Sequence, residues 1–409
     1  MKIHLFLVLL VLQSWGTIAQ TKTVIRIAGT KSDSRIKDFA VLPNGDWLAI
    51  GQHFTYTDSL TIPNMAVLMD STGHEKKRLV FGQDGINKKR FNSPRIDRRI
   101  KRIVQFPNGS IFLIGNHYQS YPTAIGLWIV QINAQLEVIQ EQVLLDVRAT
   151  NAYYLHAYRY QDDMVIVCQT SETDNTKNGH SYEKLFHEDI RVVRINQKLQ
   201  IEQEWKHFAQ STKSKIEHLR LRDAQWIDDT FYIGVESHIN DSVGSTASLN
   251  TPQGIKVFAV SMHNNAITTP WHLKDAHYLD SFAVHGDSVV CNFSIKAPDD
   301  SLYVPNSTLA AFTTDQQPIW STTLESRCKS HDMQWNSNGI WMAGEVNTLT
   351  GSSRFLRLYQ PNGQLIWSDQ TLIAYDKESV GFTRLRDGRI ATFNIDSGWV
   401  LEVLDYPLR

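Results

Sequence analysis

Cysteine is scarce in this chain. Only Cys168, Cys291 and Cys328 occur among 409 residues, and an odd count of three excludes a disulfide framework. Cys168 follows Val165-Ile166-Val167 and Cys291 follows Val289-Val290, so both read as buried, inert thiols within strands. Charge of one sign is lacking too: 41 Lys and Arg stand against 42 Asp and Glu, for a net charge of -1. With no net field, nucleic acid is not an expected partner. No long hydrophobic run follows the first dozen residues, which excludes a transmembrane segment. Catalytic signatures are missing as well. There is no Gly-x-Ser-x-Gly elbow, phosphate-binding glycine loop, His-Glu-x-x-His pair or paired-cysteine metal motif. No cofactor and no metal are indicated.

What is present begins with a leader. Met1-Lys2 is a short positive start, Leu5 to Leu12 is unbroken apolar sequence, and Thr17-Ile18-Ala19 offers small residues before Gln20. That order is a secretory signal peptide. The expectation is a signal peptide over 1–19 and one soluble, exported domain over 20–409, periplasmic or secreted and monomeric. Aromatic residues are plentiful, with 11 Trp, 14 Tyr and 17 Phe, which favours a packed β core over disorder.

A unit of two apolar strands joined by a tight turn recurs seven times. The first copy runs from Phe39 to Gly51 around Asn44-Gly45, and the second from Ile103 to Gly115 around Asn108-Gly109. Later copies turn at Asp162-Asp163, Asp228-Asp229, Gly286-Asp287, Asn338-Gly339 and Asp387-Gly388. Such dipeptides accept the positive φ of two-residue hairpins. Successive turns lie 49 to 66 residues apart, the length of one four-stranded propeller blade. A second hairpin follows each of the first six copies, and Trp205, Trp271, Trp320 and Trp367 recur in its last strand. A Trp there is suited to covering the seam between blades. The seventh copy ends one strand short, while the alternating segment Thr21–Ala28 has no blade of its own. The prediction is an all-β, seven-bladed β-propeller of four-stranded blades, its ring closed by the N-terminal strand pairing with the last blade.

The segments Leu42-Pro43-Asn44-Gly45-Asp46-Trp47, Met69-Asp70-Ser71-Thr72-Gly73 and Leu79-Val80-Phe81-Gly82 resemble bacterial delta-60-type propeller repeats. Pro318-Ile319-Trp320 and Leu365-Ile366-Trp367 resemble quinoprotein-type blades. The resemblance spans the mature chain and implies a fold, not an activity.

Polar residues gather where second strands end and first strands begin. The strand-two ends supply His53, His117, Gln169, Glu236 and Glu345; the strand-one starts supply His156, His218, His277, His331 and Asp332. In a propeller these positions surround one mouth of the central channel, on the face that also carries the long loops. Residues 86–102 are the main charge anomaly, with Arg95, Arg98, Arg99, Lys101 and Arg102 in a stretch read as the link between blades one and two. The functional expectation is a non-enzymatic module that binds a protein or glycan through its loop-rich face. The alternative is a carbohydrate-active propeller, a polysaccharide lyase or hydrolase, in which His156, His218, His277, His331 and Asp332 carry acid/base chemistry.

Overall fold

A computed structural model describes residues 22–27, 35–52, 64–81, 96–120, 123–144, 155–173, 186–206, 208–209, 216–240, 251–274, 276–294, 306–326, 328–348, 351–373, 381–384, 390–395 and 399–404. These residues form seven four-stranded antiparallel sheets. After the N-terminal strand β1 (Lys22–Arg26), blade one comprises β2 (Arg35–Val41), β3 (Trp47–Gln52), β4 (Asn64–Met69) and β5 (Glu75–Phe81). Blade two comprises β6 (Ile96–Gln105), β7 (Ile111–Ser120), β8 (Thr123–Ile132) and β9 (Val138–Leu144). Blade three is β10 (Leu155–Tyr160), β11 (Asp163–Thr173), β12 (Phe186–Asn196) and β13 (Ile201–Trp205). Blade four is β14 (Ile216–Ile227), β15 (Thr230–Asn240), β16 (Thr251–Ser261) and β17 (Ile267–Leu273). Blade five is β18 (Tyr278–His285), β19 (Ser288–Ser294), β20 (Asn306–Thr313) and β21 (Pro318–Ser326). Blade six is β22 (Cys328–Asn336), β23 (Gly339–Thr348), β24 (Gly351–Tyr359) and β25 (Leu365–Ile373). Blade seven contributes β26 (Gly381–Arg384), β27 (Ile390–Ile395) and β28 (Trp399–Leu404).

Blade seven is completed by β1, which pairs antiparallel with β28 from Lys22↔Leu404 to Arg26↔Val400. The predicted closure is therefore observed. The inner strands contact one another in a ring from β2 round to β26 and back to β2. The second and third strands of each blade are rich in Ile, Val, Leu and Met because both of their faces are covered by neighbouring blades; β3 and β4 are buried throughout. Hydrophobic clusters accordingly lie between blades: one joins Trp47, Met65 and Val67 of blade one to Trp399, Leu401 and Val403 of blade seven. Indole N–H groups cross the same seams. Trp271 donates to the Thr313 carbonyl at 2.9 Å, Trp320 to Pro361 at 2.7 Å, and Trp399 to Gln52 at 3.2 Å. The covering role expected of the blade tryptophans holds for Trp271 and Trp320.

A β-bulge recurs in the inner strands β2, β6, β14, β18 and β22, leaving Lys37, Lys101, Arg222, Asp280 and His331 outside the ladder. It also corrects the expectation for the basic stretch. Arg98, Arg99, Lys101 and Arg102 lie on β6, not on a link. The register shift between Ile100 and Arg102 breaks the period-2 alternation, so a charged strand reads as a loop. Opposite the bulge, a Cβ on Gly344 would sit 2.1 Å from the Lys329 carbonyl oxygen, and one on Gly115 would sit 2.0 Å from that of Arg99. Gly344→Ala is expected to cost about 1–3 kcal/mol by overpacking, read as a lowered urea midpoint with an unchanged slope.

None of the three cysteines is in a disulfide, and all three are buried. Burial pushes the Cys168 thiol up to about 12, the inert behaviour expected of it. No helix among the described residues is long and apolar enough to cross a membrane.

Candidate functional site

The bulge leaves backbone N–H groups without a ladder partner, and polar side chains of the preceding blade take them. Asn64 Oδ1 accepts from the Ile100 N–H at 2.9 Å, Gln169 Oε1 from Leu221 at 3.1 Å, and Glu236 Oε1 from Leu279 at 3.0 Å. Just beyond the bulge, aspartates repeat the device. Asp38 accepts from its own Phe39 N–H and from Ile103 of the next blade at 2.8 Å. Asp223 accepts from Ala224 and from Phe282, and Asp332 from Phe382 at 3.4 Å. Each carboxylate thus ties two inner strands together while standing at the axis.

The residues paired just past the bulge are Asp38↔Ile50, Arg102↔Ile114, Asp223↔Gly234, Ser281↔Asn292 and Asp332↔Ala343; His156↔Val167 holds the equivalent place on the bulge-free β10. Asp38, Arg102, His156, Asp223 and Asp332 meet in one polar ring around the axis, while Ser281 is fully buried against Ser330. These five line an axial cavity of about 500 Å³, whose walls come from β2, β6, β10, β14, β22 and β26. Its wall reaches Trp226, Ile227 and Trp335, beside the tight turns that close β14 onto β15 and β22 onto β23. The cavity therefore extends toward the short-turn end of the channel, away from the loop-rich end where the inner strands begin.

Burial dominates the electrostatics of this ring. Asp223 is pushed up to about 7 by burial and then by the charge of Asp332. Asp332 is pushed up to about 6 by burial, with Asp38 adding to it. Asp38 is also raised by burial, against the pull of Arg102. His156 is held well below its ordinary value by burial and then by Arg102, so it is neutral and its Nδ1 accepts from Arg102 at 3.4 Å. Its Nδ1 lies 4.0 Å from Asp223 Oδ1. The Tyr158 hydroxyl donates to the Ala224 carbonyl at 2.5 Å. Gln225 donates to the Phe282 and Met333 carbonyls. The ring is thus a scaffold of carboxyls whose ionised forms burial disfavours, with the Arg102 guanidinium among them.

Of the residues anticipated as a site, Arg102, His156, His331 and Asp332 line the cavity. The others do not. His218 is buried opposite His238 on β15, and the His277 N–H donates to the Ser294 carbonyl just before β18. Arg98 pairs with Glu141 at 2.6 Å, lies over the Trp128 ring and donates to His117 at 3.3 Å. Arg99 and Lys101 flank and occupy the bulge of β6. Gln169 and Glu236 serve the inter-blade bonds described above, and Glu345 lies 3.7 Å from His331. His53 and Arg95 fall outside the described residues. No three His, Cys, Asp or Glu side chains among the described residues are grouped to hold a metal ion. Sequence reasoning missed Asp38, Asp223, Tyr158, Trp226 and Trp335. A signal was available: Asp38, Arg102, His156, Asp223, Ser281 and Asp332 each stand six or seven residues before the second residue of their blade's turn.

No family model matches the chain, and no curated protein matches it. Solved structures do. Extracellular domains 1–2 of Drosophila Semaphorin 1a align over 94% of this chain and 88% of theirs, at 9% identity and a TM-score of 0.52. The β-propeller domain of the Trilobed protease from Pyrococcus furiosus aligns over 90% and 93%, at 8% identity and a TM-score of 0.47. An acylaminoacyl peptidase aligns over 91% of this chain at 10% identity and a TM-score of 0.49. The chain spans about half the length of the acylaminoacyl peptidases it matches, 51% and 49%. At these identities the likeness bears on fold alone, and the semaphorin alignment is in keeping with an all-β propeller ring.

Proposed function

We propose that this chain is an exported binding module for a glycan or protein ligand, and that the ligand is held in the axial cavity. The observation that carries the reading is the cavity's mixed wall. The half-buried residues Trp226 and Trp335 line the same 500 Å³ space as Asp38, Arg102, Asp223, Asp332 and Gln225. Aromatic faces with a few convergent polar groups are the usual furniture of a ligand pocket. The leader over residues 1–19 supports export, and the delta-60-like repeats fit a bacterial exported propeller.

The test is a screen of the protein on an immobilised glycan array and a displayed peptide library, with hits retested on Trp335→Ala. The expected result is a hit weakened at least tenfold, about 1.4 kcal/mol. Hits that bind Trp335→Ala and Arg102→Met as tightly as wild type overturn the reading. A second reading, a carbohydrate-active enzyme, is favoured by the neighbouring Asp223 and Asp332 carboxyls raised to about 7 and 6, the range in which a carboxyl serves as general acid. Release of shortened sugars from a glycan hit, lost in Asp332→Asn, would replace binding by catalysis.

A further inference from the structure

Resting on the reading of the cavity as a ligand site, we propose that its ligand is an acidic glycan, with a uronate carboxylate on the guanidinium of Arg102 and a sugar ring against Trp335. Arg102 is the starting point. It carries five N–H donors in a planar fork, yet it reaches only the Lys37 carbonyl at 3.5 Å and His156 Nδ1 at 3.4 Å. Both contacts are long for a guanidinium. Among the described residues no carboxylate forms an ion pair with it, although Asp38, Asp223 and Asp332 share its cavity.

The geometry explains this. Those carboxylates are turned to the N–H groups of Phe39 and Ile103, Ala224 and Phe282, and Phe382. They are committed to joining blades, which leaves the fork of Arg102 available to a carboxylate from outside. A planar fork matches a carboxylate bidentately. Three carboxyls nearby would repel such a guest were all of them ionised. Burial lessens this by disfavouring the ionised forms of Asp38, Asp223 and Asp332. Lys37 and His331, from the bulges of β2 and β22, add cationic or polar groups to the same wall.

The choice of a sugar over a peptide carboxylate comes from Trp335. It is half-buried in the cavity wall and packed at 32° against His285, ring centroids 5.4 Å apart, which fixes the indole's position. Sugar C–H faces pack on indole rings while their hydroxyls take carboxyl and amide partners, here Asp332 and Gln334 beside the indole.

Titration of the full protein with trigalacturonate and with the neutral trigalactose of the same linkage, followed by calorimetry at pH 6, tests the proposal. Trigalacturonate is expected to bind at least tenfold more tightly. Arg102→Met is expected to erase that preference and Arg102→Lys to keep part of it, each with a cooperative thermal transition that shows a folded ring. Equal binding of the two sugars by wild type overturns the proposal but leaves the cavity reading standing if Trp335→Ala abolishes both. An undiminished preference in Arg102→Met overturns it, as does the absence of trigalacturonate binding at 10 mM (about 2.7 kcal/mol,). A peptide-library hit that competes for Arg102 while neither sugar binds also overturns it, in favour of a protein carboxylate.

Discussion

Removing residues 21–28 is expected to destabilise the protein by about 5 kcal/mol, on the order of the loss of one buried and one partly buried isoleucine together with a strand's pairing, and to drive it to associate. The segment supplies β1, the outer strand of blade seven. Ile27 is 6% exposed, and its N–H donates to the Trp399 carbonyl at 2.9 Å. Ile25 and Ile27 pack in the cluster that joins blade seven to blade one. Without β1, the edge of β28 lies open, and an unpaired edge is a template for pairing with another chain. The strand also touches blade one directly: a Cβ at Gly73 would stand 2.4 Å from the Ile25 side chain. The loss therefore weakens the one seam where the two ends of the ring meet. Chemical denaturation and light scattering of the deleted chain measure both effects. A truncated chain with unchanged midpoint and no association would refute the closure. Ile27→Ala, expected to cost about 2–5 kcal/mol, serves as the milder variant if the deletion does not fold.

Stability is also expected to fall as the pH rises from 5 to 8, because of the axial carboxyls. In the unfolded chain Asp223 and Asp332 ionise near the ordinary value of 3.8, whereas the folded chain holds their protons until about pH 7 and 6. Their contribution is therefore fully present below about pH 4 and is lost as the pH passes through 6 and 7. Asp280, bulged from β18 and raised to about 7 by burial, adds to the same trend. A carboxyl displaced by one pH unit changes stability by about 1.4 kcal/mol, so the group as a whole makes the trend several kcal/mol. Urea midpoints at pH 5, 6, 7 and 8 measure it. Asp223→Asn loses one of two backbone acceptors at every pH, so the readout is its slope, expected to be shallower than that of wild type. A stability that rises across this range, or an unchanged slope in Asp223→Asn, would contradict the argument.

Why nature tolerates such carboxyls follows from the bulge. Each one satisfies N–H groups that the broken ladder leaves unpaired, and an unmet buried donor costs about 1–3 kcal/mol. Asp38, Asp223 and Asp332 are thus both seam-builders and wall of the cavity. That double use is why the repeats share them without any short catalytic motif.

Seven blades and their closure were legible in the sequence because they depend on local chemistry. Asn44-Gly45 or Asn108-Gly109 turns where it does from its own backbone preferences, and the spare alternating strand at the N-terminus announces the missing one at the C-terminus. The apolar second strands, buried on both faces, read as continuous hydrophobic runs for the same reason. The polar residues were legible only as a list. Arg98 and Arg102 are near neighbours on one strand, yet one folds onto Trp128 and Glu141 and the other enters the channel. His156 meets the cavity whereas His218, at the start of an equivalent strand, is buried opposite His238. A one-residue bulge decides which side chain faces the axis, and its only mark in the sequence is the offset of six or seven residues from the blade's turn. The chain's sequence alone thus determined its seven hairpin repeats and the strand that closes them, since these are interactions between residues near in sequence or matched by count. Only the tertiary structure decided which polar side chains meet, because Asp38, Arg102, His156, Asp223 and Asp332 come to one axis only when blades far apart in sequence close into a ring.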